Sequence, residues 1–176
     1  ILHGLTGSVA TSLIGKINKT HKEKNHTVQY VCSKSGEEFL LGFSENALGP
    51  TVQNIHNDES EWRYFRDDNK VLHIDLIKWA DVFVIAPCSA NTLAKIANGI
   101  CDNLLTCCAR AWDFNKKFII APACNTRMYN HPITQEHLNK IKKWGIIVVP
   151  PVEKKLFCGD IGIGAMENVE EIIKHI

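Results

Sequence analysis

The chain has 176 residues, 45% hydrophobic and 22% charged. These are ordinary values for a globular domain that buries about 70% of its unfolded surface. Its 20 Lys and Arg residues nearly balance its 19 Asp and Glu residues, and a net charge of +1 argues against a nucleic-acid-binding protein. No stretch approaches the roughly 18 consecutive apolar residues of a transmembrane helix, so we expect no membrane span.

Short apolar runs rich in β-branched residues predict five strands, at residues 1–5, 27–32, 81–86, 117–121 and 145–149. Helical periodicity predicts helices at residues 8–18, 89–98, 102–112, 134–144 and 169–175. This alternation is typical of right-handed βαβ units, and it predicts one domain over residues 1–176 with an α/β, doubly wound parallel sheet in three layers. We expect the polar segment 45–70 to be a long loop or an insertion.

Seven cysteines, an odd number that lies mostly in apolar runs, predict reduced thiols and a cytoplasmic protein. None of them has the spacing of a zinc site, so no metal is predicted. The first ten residues lack the basic start and the cleavage site of a signal peptide. Because the chain starts at Ile1 and not at Met, we expect a few leading residues to be missing from it.

The loops after the predicted strands hold the candidate binding residues, because ligands of parallel sheets bind at the carboxyl ends of the strands. Residues 4–10 (GLTGSVA) combine glycines with a helix start that suits an anion, although the spacing matches neither a dinucleotide nor an ATP motif. Residues 33–36 (SKSG) either offer hydroxyls and an ammonium group to a phosphate or form only a polar loop. Residues 86–92 (APCSANT) offer a neutral cradle able to bind a ring or a phosphate.

Later segments add further candidate groups. Residues 121–129 (APACNTRMY) present the neutral amide of Asn125 beside soft side chains. Glycines at 159, 162 and 164 predict either a flexible lid with Cys158 near its start or a glycine-rich surface loop. His73 lies in an apolar run, where it is either a catalytic histidine or a structural one.

Together these motifs resemble the homo-oligomeric flavin-containing cysteine decarboxylases, in the branch that acts on phosphopantothenoylcysteine. The resemblance covers essentially the whole chain, and it is carried by GSVA (7–10), DESEW (58–62), HIDL (73–76), WAD (79–81), APCSANTLAKIANGICDNLLT (86–106), PACNTRMY (122–129) and LFCGDIGIGAM (156–166). It implies a flavodoxin-like (Rossmann-like) fold, FMN as cofactor and a homotrimer with active sites at the subunit interfaces. It also implies a lyase of coenzyme A biosynthesis that forms phosphopantetheine.

The resemblance further implies individual roles. His73 matches the catalytic histidine, Asn125 the residue that holds the substrate carboxylate, and Cys158 the cysteine that protonates the intermediate. The positions that match FMN contacts are Gly7, Ser8, Val9, Ser33, Ser35, Ser89, Ala90, Asn91, Thr92 and Ala123. The positions that match substrate contacts are Asn125, Met128, Lys155, Leu156 and Phe157. Cys124 and Tyr129 replace a Met and a Trp of the family, which predicts an altered pocket lining with activity retained.

The implied chemistry explains why these groups are needed. Flavin takes a hydride from the carbon that bears the thiol, loss of CO₂ then gives an ene-thiolate, and Cys158 donates a proton as the hydride returns. His73 assists removal of the thiol proton and the oxidation, as a base or as an electrostatic partner. The alternatives are a peptidyl-cysteine decarboxylase of the same superfamily, a non-enzymatic phosphatase-inhibitor subunit and a flavodoxin-like electron carrier. The joint presence of His73, Asn125 and Cys158 favours the decarboxylase.

Overall fold

The computed structural model describes residues 1–42, 55–157, 159 and 161–176. Its central sheet is parallel and contains β1 (Leu2–Leu5), β2 (Gln29–Cys32), β3 (Ile55–His56), β4 (Val82–Cys88), β5 (Lys117–Pro122) and β6 (Ile147–Val148). The spatial order is β3-β2-β1-β4-β5-β6. Without the two-residue edge strand β3, this is the flavodoxin-like order. The chain order reverses between β1 and β4, where open parallel sheets bind their ligands.

Helices cover both faces of the sheet. They are α1 (Ile14–Glu23), which follows a 3₁₀ turn at Val9–Leu13, α2 (Lys34–Gly42), α3 (Asp58–Asp68), α4 (Leu72–Trp79), α5 (Ala90–Asn98), α6 (Leu104–Arg110), α7 (Thr126–Tyr129), α8 (Pro132–Lys142) and α9 (Val169–Ile173). One buried cluster joins the sheet to α4, α5, α6 and α8, and another joins the opposite face to α1, α2 and α9. The predicted three-layer α/β fold is therefore confirmed. None of the described helices is long and apolar enough to cross a membrane.

The polar segment 45–70, predicted to be a long loop or an insertion, instead contains β3 and α3, while residues 43–54 lie outside the described residues. A capping box starts α3: Asn57 Oδ1 accepts from the Ser60 N–H (2.9 Å), and Ser60 Oγ accepts from the Asn57 N–H (3.3 Å). No residue of α3 is fully buried. The apolar periodicity that reveals most helices is therefore weak in this segment.

The glycine-rich segment near the carboxyl end, predicted to be either a flexible lid or a surface loop, contains β8 (Ile161–Ala165), which pairs with β7 (Val152–Lys155) in an antiparallel hairpin. A Cβ on Gly162 would press on Thr126, and one on Gly164 would press on the Cys124 carbonyl. The Cys124 N–H also donates to the Gly164 carbonyl at 3.0 Å. These two glycines therefore allow the hairpin to pack closely on the loop before α7.

Candidate functional site

A cavity of about 760 Å³ opens at the carboxyl ends of the central strands, and this volume suits a cofactor-sized ligand. Its walls come from the loops after β1, β2, β4 and β5 and from the β7–β8 hairpin. All ten positions predicted to contact FMN line it: Gly7, Ser8, Val9, Ser33, Ser35, Ser89, Ala90, Asn91, Thr92 and Ala123. The five predicted substrate positions also line it: Asn125, Met128, Lys155, Leu156 and Phe157.

The end of the cavity beside β1 and β2 is polar. Ser8 Oγ accepts from the Ala10 N–H (3.3 Å) at the start of the 3₁₀ turn, and Ser33 Oγ accepts from the Gly36 N–H (3.2 Å) in the first turn of α2. A Cβ added to Gly7 would lie 2.6 Å from Ser35 Cβ, so the two loops approach closely here. Hydroxyl groups and helix starts in this narrow corner are suited to a bound anion.

The loop after β4 is held in place by a threonine that the sequence analysis did not single out. Thr6 Oγ1 donates to the Pro87 carbonyl (2.8 Å) and accepts from the Ser89 N–H (2.7 Å). Ser89 Oγ in turn accepts from the Thr92 N–H (3.2 Å) and caps α5. Thr6 lies inside the motif at residues 4–10, but only the fold shows that it joins two strands far apart in the sequence.

Asn125 follows β5, where its Oδ1 accepts from the Arg127 N–H (2.9 Å) and caps α7. This bond fixes the orientation of the side chain at the cavity wall. Burial raises the pKa of the neighbouring Cys124 to about 11, so its thiol is neutral at pH 7. Cys124 therefore keeps the soft, uncharged character of the methionine that the family pattern has at this position.

The cavity rim carries an ion pair that the sequence analysis did not assign. Lys95 Nζ lies 2.8 Å from both carboxylate oxygens of Asp102, and both residues line the cavity. The hydrogen bond from Lys95 lowers the pKa of the Asp102 carboxyl. The positive charge of Lys95 is therefore largely balanced by Asp102. On the hairpin, Lys154 Nζ donates to Asn168 Oδ1 at 3.1 Å.

His73 is absent from the cavity wall formed by the described residues of one chain. It lies in α4, where its Nδ1 is 2.9 Å from Glu61 Oε1 and its backbone N–H donates to Glu61 Oε2 at 3.0 Å. Cys158 lies outside the described residues. The structure therefore brings Asn125, but not His73, to the cavity of its own chain. Glu61 lies in the DESEW motif at 58–62, to which the residue pattern alone assigned no role.

Comparison with known proteins agrees with this architecture. The family described as Flavoprotein matches residues 1–176. A probable phosphopantothenoylcysteine decarboxylase from Arabidopsis thaliana is 47% identical over 167 residues, covering 94% of this chain and 81% of that protein. The chain therefore belongs to the flavoprotein family, and the resemblance indicated by its motifs is confirmed.

Two solved structures share the fold along nearly the whole chain. One is described as a PPC decarboxylase mutant complexed with pantothenoylaminoethenethiol; its TM-score is 0.91 at 43% identity, covering 99% of this chain and 93% of that one. The other is described as the FMN binding protein AtHal3; its TM-score is 0.86 at 44% identity, covering 99% of this chain and 92% of that one.

Proposed function

We propose that this chain, as one flavoprotein domain, catalyses the FMN-dependent decarboxylation of phosphopantothenoylcysteine to phosphopantetheine in coenzyme A biosynthesis. The observation that carries this proposal is that a single cavity at the β1–β4 reversal gathers every position matched to an FMN contact and every position matched to a substrate contact. Relatives named for this decarboxylation and for FMN binding support the choice of substrate and cofactor. The free thiols of the six described cysteines support a cytoplasmic location.

The cavity residues fit FMN chemically. The corner formed by Gly7, Ser8 and Ser35 offers hydroxyls and helix starts to a phosphate. The side chains of Ala90 and Ala123 add an apolar wall, and the exposed Asn91 amide can hydrogen-bond the polar edge of a ring. When bound, the flavin would supply a reversible hydride acceptor, so that the oxidised thiol-bearing carbon could serve as an electron sink next to the carbon that loses CO₂.

The residues of this chain bind the substrate and move its protons. Asn125 holds the departing carboxylate through a neutral amide, because a full positive charge would favour the carboxylate over neutral CO₂. Met128 and Phe157, which are 51% and 82% exposed, provide apolar surface at the mouth that can exclude water once substrate is bound. Lys155 adds a positive charge on the hairpin beside Phe157. This charge suits the anionic substrate.

We further propose that His73 takes the thiol proton and that Cys158 protonates the ene-thiolate, both roles resting on the resemblance. Because His73 does not line the cavity of its own chain, a second copy must present it in the proposed homotrimer. Exposed apolar side chains on α3, Trp62 (61% exposed) and Phe65 (50%), support burial of this side of the molecule against another subunit.

The proposed activity is tested with purified protein reconstituted with FMN. Phosphopantothenoylcysteine should release one equivalent of CO₂ and give phosphopantetheine, identified by mass spectrometry. The dephosphorylated substrate and a peptide with a carboxyl-terminal cysteine serve as comparisons. Faster turnover of the peptide would contradict the proposed substrate, and a protein that cannot be loaded with FMN would contradict the proposed cofactor.

Sharing of the active site between subunits predicts complementation. His73→Asn and Asn125→Asp should each be inactive alone, the second because its added carboxylate repels that of the substrate. After unfolding and co-refolding of the two variants, mixed trimers should regain part of the activity, because some sites combine an intact His73 from one copy with an intact Asn125 from another. Co-refolded mixtures that stay inactive despite proven subunit exchange would contradict the shared site.

Gly7→Ala should weaken FMN binding by at least about tenfold, because the new Cβ would meet Ser35 Cβ at 2.6 Å and widen the phosphate corner. The measurement is quenching of FMN fluorescence on titration with apoprotein. Gly42→Ala is the matched control, because a Cβ there has no neighbour within 4 Å among the described residues. Equal FMN affinity in the two variants would mean that the phosphate is bound elsewhere.

A further inference from the structure

Glu61 makes two hydrogen bonds to the same residue, His73, from a neighbouring helix. One carboxylate oxygen lies 2.9 Å from the imidazole Nδ1, and the other accepts from the His73 backbone N–H at 3.0 Å. The side chains of Glu61 and His73 are only 16% and 25% exposed, so water competes weakly for this pair. Glu61 therefore contacts both the ring and the backbone of the proposed base.

We infer that Glu61 is a positioning residue that holds the proton of the His73 imidazole on Nδ1 and so leaves the lone pair on Nε2. This inference rests on the proposed role of His73. An ionised carboxylate only accepts hydrogen bonds, so the nitrogen facing it must be the N–H. In the neutral ring the other nitrogen, Nε2, is then the acceptor that can take a thiol proton.

The second hydrogen bond keeps the carboxylate from rotating away. The residue before α4, Val71, provides no side-chain cap, so the first N–H groups of this helix need another acceptor. Glu61 Oε2 supplies it to His73, the second residue of α4. The helix start and the ring orientation are thus set by one side chain.

Glu61→Gln separates this positioning role from a purely structural one. The substituted glutamine can still accept from the His73 N–H through its amide oxygen, which preserves the helix cap. Its NH₂ group then faces Nδ1 and donates to it, which favours the opposite tautomer with the proton on Nε2. If Glu61 has a purely structural role, this substitution should leave the activity unchanged. If His73 is a base that needs its lone pair on Nε2, the substitution should lower the activity.

The test uses the FMN-loaded protein with ¹⁵N-labelled histidine, and the His73 signals are assigned by difference from His73→Asn. At a pH where the ring is neutral, wild type should show a protonated Nδ1 and an unprotonated Nε2, and Glu61→Gln should shift the population toward the reverse. The kcat of Glu61→Gln should fall by about 10²-fold, within the range that general base catalysis supplies. The KM and the FMN affinity should change by less than about twofold.

Asp75→Asn is the matched control, because the Asp75 carboxylate accepts from the Tyr64 hydroxyl (2.8 Å) between the same two helices. It should leave the His73 tautomer and kcat unchanged. If His73→Asn is inactive, the proposed function stands. An unchanged tautomer or an unchanged kcat in Glu61→Gln would then overturn the inference alone. Normal turnover in His73→Asn would instead overturn the proposed base, and the catalytic part of the inference with it.

Discussion

His73→Asn should lower decarboxylation by about 10²- to 10⁴-fold, because an asparagine amide cannot accept a proton at neutral pH. FMN should remain bound, since the positions matched to flavin contacts lie in other segments of the chain. Flavin absorbance after gel filtration measures retention of the cofactor, and CO₂ release measures turnover. His73→Asn should therefore keep its flavin absorbance while its CO₂ release falls.

The asparagine is chosen so that the fold survives. Its Nδ2 can still donate to Glu61, which preserves the contact between α3 and α4 that His73 makes at 2.9 Å. His175→Asn is the control, because His175 is exposed near the end of the chain. Near-normal CO₂ release by His73→Asn would return His73 to the structural role that an apolar sequence run also allows.

The sequence is most informative about the cavity. Gly7, Ser8, Ser89 and Ala123 follow strands that are buried and strongly apolar, and the carboxyl ends of parallel strands must meet at one edge of the sheet. Local patterns therefore suffice to predict that these residues lie near one another. The strands β1, β2, β4, β5 and β6 can be predicted from their apolar runs.

The remaining features depend on contacts between residues distant in the sequence. Thr6 bonds Ser89 across 83 positions, and Glu61 bonds His73 across 12, and no local pattern marks either pair. The helix α3 was not predicted because it buries none of its residues fully. Glycines at 162 and 164 predict a flexible lid or a surface loop, and only the fold shows that they also allow the hairpin to pack closely.

Three histidines form a hydrogen-bonded chain between β1 and the segment after α1, which no sequence pattern indicated. His3 Nε2 lies 2.7 Å from the Ala86 carbonyl, His3 Nδ1 3.0 Å from His21 Nε2, and His21 Nδ1 3.1 Å from His26 Nδ1. The carbonyl can only accept, so His3 donates from Nε2. When His3 and His21 are neutral, each has one acceptor nitrogen left, so His21 donates from Nε2 and His26 from Nδ1. This chain requires neutral rings at His3 and His21, whereas His26 can donate from Nδ1 in either charge state.

Protonation of the inner rings is strongly opposed in the folded chain. Burial lowers the pKa of His3 from 6.5 to about 4, and burial together with the neighbouring His3 and His26 lowers that of His21 further. The unfolded chain carries no such restriction, so its histidines gain protons from about pH 6.5 downward.

Acidification should therefore destabilise the protein. Groups whose pKa is lower in the folded state contribute stability above their unfolded pKa, and that stability is lost as the pH falls toward the folded value. As the pH falls from 6.5 to 5, the free energy of unfolding should decrease ever more steeply, and the slope for each inner histidine should approach about 1.4 kcal/mol per pH unit. The measurement is urea unfolding at fixed protein concentration across this range, in which most carboxylates stay ionised.

The double variant His3→Leu/His21→Leu should lose much of this pH dependence, because it removes both groups without leaving a buried ring nitrogen unpaired. The single variant His3→Leu should be less stable even at pH 7, since the His21 N–H then lacks its acceptor in a fully buried position. His175→Gln, at an exposed site, should keep the wild-type slope. Equal slopes in the wild type and the double variant would show that other groups cause the acid sensitivity, and that the buried histidine chain contributes nothing to it.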